Sequence, residues 1–429
     1  MNKELYYNIR AKLGRQKYRI YINVIYPWVL KYRAKTVGRK DKIDVVFFAI
    51  NVAMWRYQGV YDLLSNDDHI NCHIVLTSAR QFDEEQRIEN LKALRAFFDA
   101  KGIKYFDFDD STDTGYNVKD LIDPDILFYP QPYEAQYKVE HSFNNFKDKL
   151  LCYVPYYCWS IMKSASWGYD LPFCHIAWKI YYATNFECHN ARRIALNHGR
   201  NCVVSGFDGL ERYLNKDTLD VWKIKDHSIK RLIWAPHFTI ESRPSMLGCR
   251  SNFLRMSRFM LDIADAYRDK IQIAFKPHPW LKSVLYEYPD WGREATDNYY
   301  NRWATGINTQ LETGGFVDLF KTSDAMIHDS ASFTAEYLCV NKPVAFVTND
   351  PDSLMDLHNE FGQLALKQHY ILKTEEDVIS FIDDVVIGGN DTKAIERTVF
   401  FKSVLRSQEQ VSTSKFIVED IKRGLGLKR

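Results

Sequence analysis

A two-domain α/β fold, each domain a parallel sheet wrapped by helices, is predicted by three features of this 429-residue sequence. Short apolar runs of strand length alternate with amphipathic runs of helical length. The alternation runs through the first half and restarts in the second. A polar stretch, residues 214–230 (LNKDTLDVWKIKDHSIK), separates the two series. The expected organisation is a basic arm (1–42), a Rossmann-like domain (43–215), a second Rossmann-like domain (216–402) and a terminal helix (403–429). The two parallel sheets are expected to face a cleft.

The elements follow in order. IDVVFFAI (43–50) is rich in β-branched and aromatic residues and uniformly apolar, as a strand buried on both faces requires. HINCHIVLTS (69–78) is the next strand. A helix from Glu84 to about Ala100 follows, then the strand IKYFDFDD. DILFYPQPY and KLLCYVPYYC are two strand-plus-loop units. KIYYAT, a basic helix from His189 and NCVVSGFDG close the first half. In the second half RLIWAPHF is a strand, Ser251 to Lys270 a long amphipathic helix and IQIAFKPHP a strand. A short helix over Val317–Thr322, the strand AMIHDS, the helix SFTAEYLCVN and the strand KPVAFV complete it.

The charge is unevenly spread. Residues 1–42 hold twelve Lys/Arg against Glu4 and Asp41, a net +10, while the whole chain is +2, so the remainder is −8. A basic arm on an acidic body is the pattern of a surface-binding segment. Its Tyr and Trp residues suit the headgroup zone of a membrane. Its longest apolar run, YINVIYPWVL, is half of the ~20 residues that a spanning helix needs. The arm is therefore expected to lie on an anionic membrane surface, at the cytoplasmic face. The competing reading is a basic helix packed on the acidic body. The first twenty residues lack an apolar core, so no signal peptide is expected. The eight cysteines show no CxxC pair and no zinc spacing, which fits buried reduced thiols. No metal ligand set and no cofactor are expected. Neither GxGxxG after a strand nor GxxxxGK[ST] occurs, and no nucleic-acid-binding motif accompanies the arm.

Ligands of parallel α/β sheets sit beyond the carboxyl ends of the strands. Three polar clusters fall there in the second half. APHF carries His237, FKPHP carries Lys276 and His278, and HDSAS carries His328, Asp329, Ser330 and Ser332. They recur every 40 to 50 residues, about one βαβ unit, so adjacent strands aim them at one crevice. The prolines of FKPHP end the strand and leave Lys276 and His278 on a stiff turn, a cationic pair suited to a leaving pyrophosphate. A strand-terminating turn with a solvated histidine is the alternative. HDSASFTAEYL places backbone N–H groups and the hydroxyls of Ser330 and Ser332 at a helix start, an anion site. Glu336, one turn in, suits ribose hydroxyls. An ordinary Asp/Ser N-cap would account for Asp329 and Ser330 alone. His237 is a second catalytic candidate, or a turn histidine.

In this order the three clusters resemble the CDP-glycerol glycerophosphotransferase family of teichoic-acid and capsule synthesis. The similar segments run from about Tyr153 to Arg397. IWAPHF looks like that family's strand ending in Ala-Pro-Thr-aromatic-Arg, and FKPHP like its His-Pro motif. DLFKTSDAMIHDSASFTAEYLCVNKPVAFV looks like its long signature, and VVSGFDGLERYL is similar to its glycine-centred segment. The long signature is specific; the His-Pro motif also occurs in several polysaccharide sialyltransferases. The resemblance implies a GT-B architecture and inverting-type transfer without a bound catalytic metal. It implies that His278, Ser332 and the helix start hold the donor pyrophosphate, and that Glu336 faces the ribose. His237 and Thr239 stand where the family has Thr and Arg, Ala331 replaces a Ser, and Glu336 replaces an Asp. The family's Trp-His-Gly motif is not visible; YVPYYCW, with Tyr156 and Tyr157, stands in its region and is the place to seek a base. The function implied is transfer of a polyol phosphate from a CDP-linked donor to a lipid-linked or glycan acceptor. The alternatives are a GT-B transferase of a CMP- or other nucleotide-linked sugar, and a non-catalytic scaffold of a polysaccharide assembly complex.

Overall fold

The computed structural model describes residues 14–80, 82–107, 118–156, 166–207, 209–214, 217–240, 251–406 and 412–427. These fall into two compact units. One takes the described residues up to 209 together with the C-terminal helix Thr413–Leu425; the other takes 210–406.

The first unit contains β1 (Ile43–Ala49), β2 (Ile70–Leu76), β3 (Tyr105–Asp107), β4 (Ile126–Tyr129), β5 (Leu150–Tyr153), β6 (Lys179–Tyr182) and β7 (Cys202–Val204). All pair in parallel, in the order β3-β2-β1-β4-β5-β6-β7. The second unit contains β8 (Lys230–Ala235), β9 (Ile271–Phe275), β10 (Thr309–Leu311), β11 (Ala325–His328), β12 (Val344–Val347) and β13 (Tyr370–Leu372). These too are all parallel, in the order β10-β9-β8-β11-β12-β13. In each sheet the order reverses beside the first strand, the doubly wound arrangement with its switch point between β1 and β4 or between β8 and β11. The apolar runs read as strands are these strands, and the central ones are buried from end to end, as helices on both faces require.

Several helices differ from their sequence reading. The helix expected from His189 starts at Asn185, because Thr184 and Glu187 form a capping box ahead of the basic stretch. The helix expected over SFTAEYLCVN is an α-turn, Phe333–Glu336, continued as a 3₁₀ turn, Tyr337–Val340, and closed by Asn341 in the left-handed region. Lys342 and Pro343 follow, and proline disfavours helix in the residue before it. β10, β13 and the helices Leu281–Tyr286 and Gly292–Thr305 were not read from the sequence.

The first and last described segments both pack on the first unit. Residues 14–37 are helical, with a π-turn at Tyr21–Ile25 inside the run. Ile22, Tyr26, Ala34 and Val37 are buried against the body. Arg200 donates to the carbonyls of Ile22 (3.0 Å) and Asn23 (2.8 Å), in the stretch where Pro27 supplies no helical N–H. Tyr26 Oη donates to Ile176 O at 2.9 Å. The opposite face leaves Val24, Ile25, Trp28 and Tyr32 exposed beside Lys31 and Lys35. Among the described residues no helix is long and apolar enough to cross a membrane. The C-terminal helix buries Ile417, Val418, Ile421 and Leu425 in the core that also holds Ile43, Val45 and Ala34. Its Asp420 accepts from Tyr181 Oη (3.1 Å) and pairs with Lys179 (2.8 Å).

The two ends meet at Gly38. A Cβ there would lie 1.9 Å from the carbonyl oxygen of Leu425, so backbone opposes backbone with no side chain to yield. Gly38→Ala is therefore expected to lower folding stability by about 1–3 kcal/mol, the usual cost of overpacking. Chemical denaturation of the full chain measures it, and an unchanged midpoint would show that the ends do not approach in this way.

Candidate functional site

The three polar clusters occupy neighbouring strand ends at the switch point of the second unit. β8 runs into Pro236–Thr239, β9 into Lys276–Trp280 and β11 into Asp329–Ser332. The first two loops continue the ladder between their strands: Lys276 N donates to Trp234 O (2.8 Å) and His278 N to Pro236 O (3.0 Å). Pro277 and Pro279 supply no N–H, so the ladder stops after His278.

Asp329 holds the crevice together. One carboxylate oxygen accepts from His237 N and the other from Asn252 N, both at 2.6 Å. Asn252 precedes the helix Phe253–Ala266, and its side chain reaches Val347 O of β12 at 3.0 Å. Burial pushes the Asp329 carboxyl up to about 7, while the bonds from Asn252, His237 and Ser251 pull the other way. Both oxygens thus serve backbone of the connection between β8 and the helix Phe253–Ala266.

His237 and His278 face each other with ring centroids 4.8 Å apart. Trp280 N approaches His278 Nδ1 at 3.2 Å. A backbone N–H can only donate, so this Nδ1 carries a lone pair and the proton sits on Nε2. His237 Nδ1 meets the Thr239 hydroxyl at 2.9 Å and the Thr239 N–H at 3.4 Å, which selects the same tautomer. Burial, with Lys276 beside it, holds the pKa of His278 down to about 4. His278 is therefore a neutral Nε2–H donor here, whereas the sequence had suggested a cationic pair with Lys276. Lys276 is buried and donates to the carbonyls of Glu312 (3.3 Å) and Gly314 (2.8 Å). Desolvation lowers it to about 8, with Glu312 pulling it back up. Neutral N–H donors and one buried ammonium are groups that can hold oxyanions when their geometry is fixed in advance.

At β11, Ser330 is buried and Ser332 exposed. Ser330 N donates to His328 Nδ1 at 3.1 Å, so His328 is protonated on Nε2. That nitrogen meets His369 Nε2 at 3.1 Å, and His369 Nδ1 meets Ala365 O at 2.9 Å. Only one proton arrangement satisfies the whole chain: both imidazoles neutral, His328 donating to His369, and His369 donating to the Ala365 carbonyl. The turn expected to bind anions is thereby tied to the helix Glu360–Leu366. Glu336 is buried, and Tyr213 Oη donates to it at 3.2 Å while its ring lies over Phe320. Lys342, from the Lys-Pro of the long signature, donates to the carbonyls of Lys321 (2.6 Å) and Ser323, ending the helix Val317–Thr322.

In the first unit, Tyr156 follows β5; burial raises its phenol, with Arg56 pulling the other way, so it keeps its proton at neutral pH. Tyr157 lies outside the described residues. Among the described residues no group of three or more His, Cys, Asp or Glu could hold a metal ion.

The second unit thus gathers His237, Lys276, His278, Asp329 and Ser330 at one sheet edge, with Ser332 and Glu336 on the turn and helix beyond β11. Sequence reasoning missed Asn252, Tyr213 and His369, and it named Thr239 only as a departure from the family pattern. Each acts through a contact distant in the chain or through a hydrogen bond that no motif marks.

No protein-family profile and no curated protein sequence matches the chain. Solved structures do match it. The wall teichoic acid polymerase TagF soaked with CDPG shares 12% identity over 97% of this chain and 98% of its own, with a TM-score of 0.53. The UDP-GlcNAc 2-epimerase of Methanocaldococcus jannaschii, in complex with UDP-GlcNAc and UDP, shares 13% over 89% and 99%, with a TM-score of 0.54. S. aureus MnaA with UDP shares 14% over 91% and 98%, with a TM-score of 0.53. The fold is GT-B.

The histidine chain makes a pH prediction. His369 is pushed down to about 3 by burial, with Arg397, His358 and Lys393 adding to the effect and the bond to Ala365 opposing it. Its unfolded value is about 6.5, so on acidification the unfolded chain takes up the proton first. The stability that neutral His369 contributes is complete above pH ~6.5 and is lost as pH falls toward 3, at up to ~1.4 kcal/mol per pH unit. His369→Gln offers His328 an oxygen that does not titrate. Between pH 6.5 and 4.5 the folding free energy of this variant should fall less steeply than that of the wild type; parallel slopes in denaturation series would refute the chain.

Proposed function

We propose that the chain is a GT-B transferase that moves a glycerol-phosphate or related polyol-phosphate unit from a CDP-linked donor to a lipid-linked or glycan acceptor in bacterial cell-surface polymer synthesis. The observation that carries this reading is the convergence of His237, His278 and Lys276 with the Asp329–Ser332 turn at the switch point beyond β8, β9 and β11. That crevice matches a diphosphate in charge and hydrogen bonding. Glu336 with Tyr213, one turn past the phosphate turn, suits ribose hydroxyls. The likeness in fold to TagF soaked with CDPG and to epimerases holding UDP supports a nucleotide-linked donor. The long signature, which resembles that of glycerophosphotransferases, favours CDP. A sugar-transferring enzyme of the same fold is the second reading, favoured by the equal likeness to the epimerases.

In the proposed reaction an acceptor hydroxyl oxygen attacks the phosphorus that carries the polyol. A new P–O bond forms, the bridging P–O–P bond breaks, and CMP departs with the electron pair; the hydroxyl proton passes to a base. Charge grows on the departing phosphate. His278 Nε2–H and the Lys276 ammonium meet it in a site already desolvated, where fixed donors act most strongly. As dianionic phosphate gathers, the imidazolium forms are favoured, so each histidine can strengthen its bond as the charge develops.

Removing one such donor typically costs about 10²-fold or more in turnover. His278→Ala is expected to lose that much in release of CMP from CDP-glycerol while keeping its melting temperature, because the ring sits on a turn. Donor assays with CDP-glycerol, CDP-ribitol and CMP-sugars, run side by side, decide between the two readings. A folded His278→Ala enzyme turning over at the wild-type rate would remove the histidine from the mechanism.

The arm is proposed to rest on the anionic inner face of the cell membrane, where a lipid-linked acceptor is found. Trp28 and Tyr32 are 71% and 73% exposed, and Lys31 and Lys35 flank them. Aromatic rings at headgroup depth and lysines near anionic lipid, roughly 1 kcal/mol each before screening, fit such a surface. Deleting the arm would expose the core beneath it, so the test keeps its buried face. Trp28→Ser/Tyr32→Ser should pellet less than wild type with anionic liposomes, and wild-type pelleting should weaken as salt rises. Equal pelleting of both proteins, or none at low salt, would remove the membrane role.

A further inference from the structure

We propose that Trp280, backed by Phe238, is the surface on which the transferred group of the donor rests, and that it sets which group is accepted. The inference builds on the nucleotide-donor reading above and names a residue that neither the motifs nor that reading assigns.

Across the carboxyl edge of the second sheet the strands run β9, β8, β11. Neighbouring strands are about 4.8 Å apart, so β9 to β11 spans about 10 Å, the length of a pyrophosphate with the first atoms on either side. The side chains along this edge follow a chemical order. Glu336, hydrogen-bonded by Tyr213, lies beyond the β11 turn and suits a ribose. The Asp329–Ser332 turn and His237 come next, at β11 and β8. His278 and Lys276 stand at β9. A donor laid with its ribose at Glu336 and its phosphates at the histidines must project its remaining group past the end of β9. Trp280 is there.

Trp280 is 50% exposed, although it belongs to a tightly bonded loop. Its ring meets Phe238 edge to face at 5.1 Å and His278 at 5.8 Å. Phe238 in turn lies 4.5 Å from both His237 and His278. The four rings form one continuous surface from the phosphate site outward. The backbone holds the indole in place: Trp280 N donates to His278 Nδ1 at 3.2 Å, and Trp280 O accepts from the Ser283 hydroxyl at 3.0 Å. The bond that selects the tautomer of the leaving-group histidine thus also anchors the indole beside it.

The chemistry defines the ligand class. An indole face is apolar and carries the negative side of the ring quadrupole, so it accepts C–H groups and repels carboxylates. A polyol or neutral sugar can lay its C–H face on the ring while its hydroxyls point to water. An acidic sugar would bring its charge against the ring. The surface therefore favours a neutral polyhydroxylated group.

The experiment compares the donor with its nucleotide half. Calorimetry with CDP and with CDP-glycerol is run on the wild type, Trp280→Ala and Trp280→Phe. The wild type should bind CDP-glycerol more tightly than CDP. Trp280→Ala should keep its CDP affinity within about twofold and lose about fivefold to tenfold for CDP-glycerol, the scale of one aromatic contact. Trp280→Phe should recover part of that loss. Equal losses for both ligands, or no loss for either, would overturn the inference while leaving the donor reading standing. A wild type that binds neither ligand would overturn both.

Discussion

The hydrogen bonds of one buried carboxylate organise the site. Where a strand or a helix ends, the N–H groups beside it lose their regular backbone partners. An unpaired buried N–H costs about as much as a lost hydrogen bond. Asp329 supplies acceptors to two N–H groups of the connection that leaves β8, His237 N just past the strand and Asn252 N just before the helix that the connection leads into. It fixes the loop that carries His237 and Phe238, and through His278 N to Pro236 O that loop is joined to the loop of His278 and Trp280. The helix beginning at Phe253 is fixed at its start by the same group. The cost of burying the carboxyl is visible in its raised pKa, and the short charge-assisted bonds offset it.

The electrostatics around this clamp follow from what the crevice can bury. Fully charged side chains are expensive inside a protein, whereas neutral imidazoles with one committed nitrogen are not. His237, His278, His328 and His369 each have a ring nitrogen bonded to backbone or to a neighbouring side chain, which decides where each proton sits. Two of these rings end in Nε2–H donors beyond β8 and β9; the other two brace the turn after β11. The sheet edge carries Lys276 and hydrogen-bond donors without several buried cations that would repel one another.

The first unit is shaped by its ends. The arm and the C-terminal helix share one apolar core with the first sheet, and the close approach of Gly38 to Leu425 joins them. A helix held this way shows a fixed face outward. The exposed aromatics and lysines of the arm therefore form a set surface rather than a loose tail, whichever partner they meet.

The central strands were legible in the sequence because each is an apolar run long enough to show its character within itself. β10 (TQL) and β13 (YIL) were not: each is a short run set among polar residues, and each is a strand through its pairing with β9 or β12. The three polar clusters were legible because a parallel sheet aims its strand ends at one edge, so spacing alone brings His237, His278 and Asp329 together. What each group does there was not. His237 and Asn252 lie 92 and 77 residues from the carboxylate they share, and the partner of His328 is 41 residues away. Periodicity and propensity act over a turn or a strand, so the sequence alone determined two doubly wound sheets, a basic arm and a polar sheet edge. The tautomers, the neutral state of His278, the clamp of Asp329 and the standing of Trp280 beside His278 depend on atoms that only folding brings within hydrogen-bond or ring-contact distance, and the tertiary structure decided them.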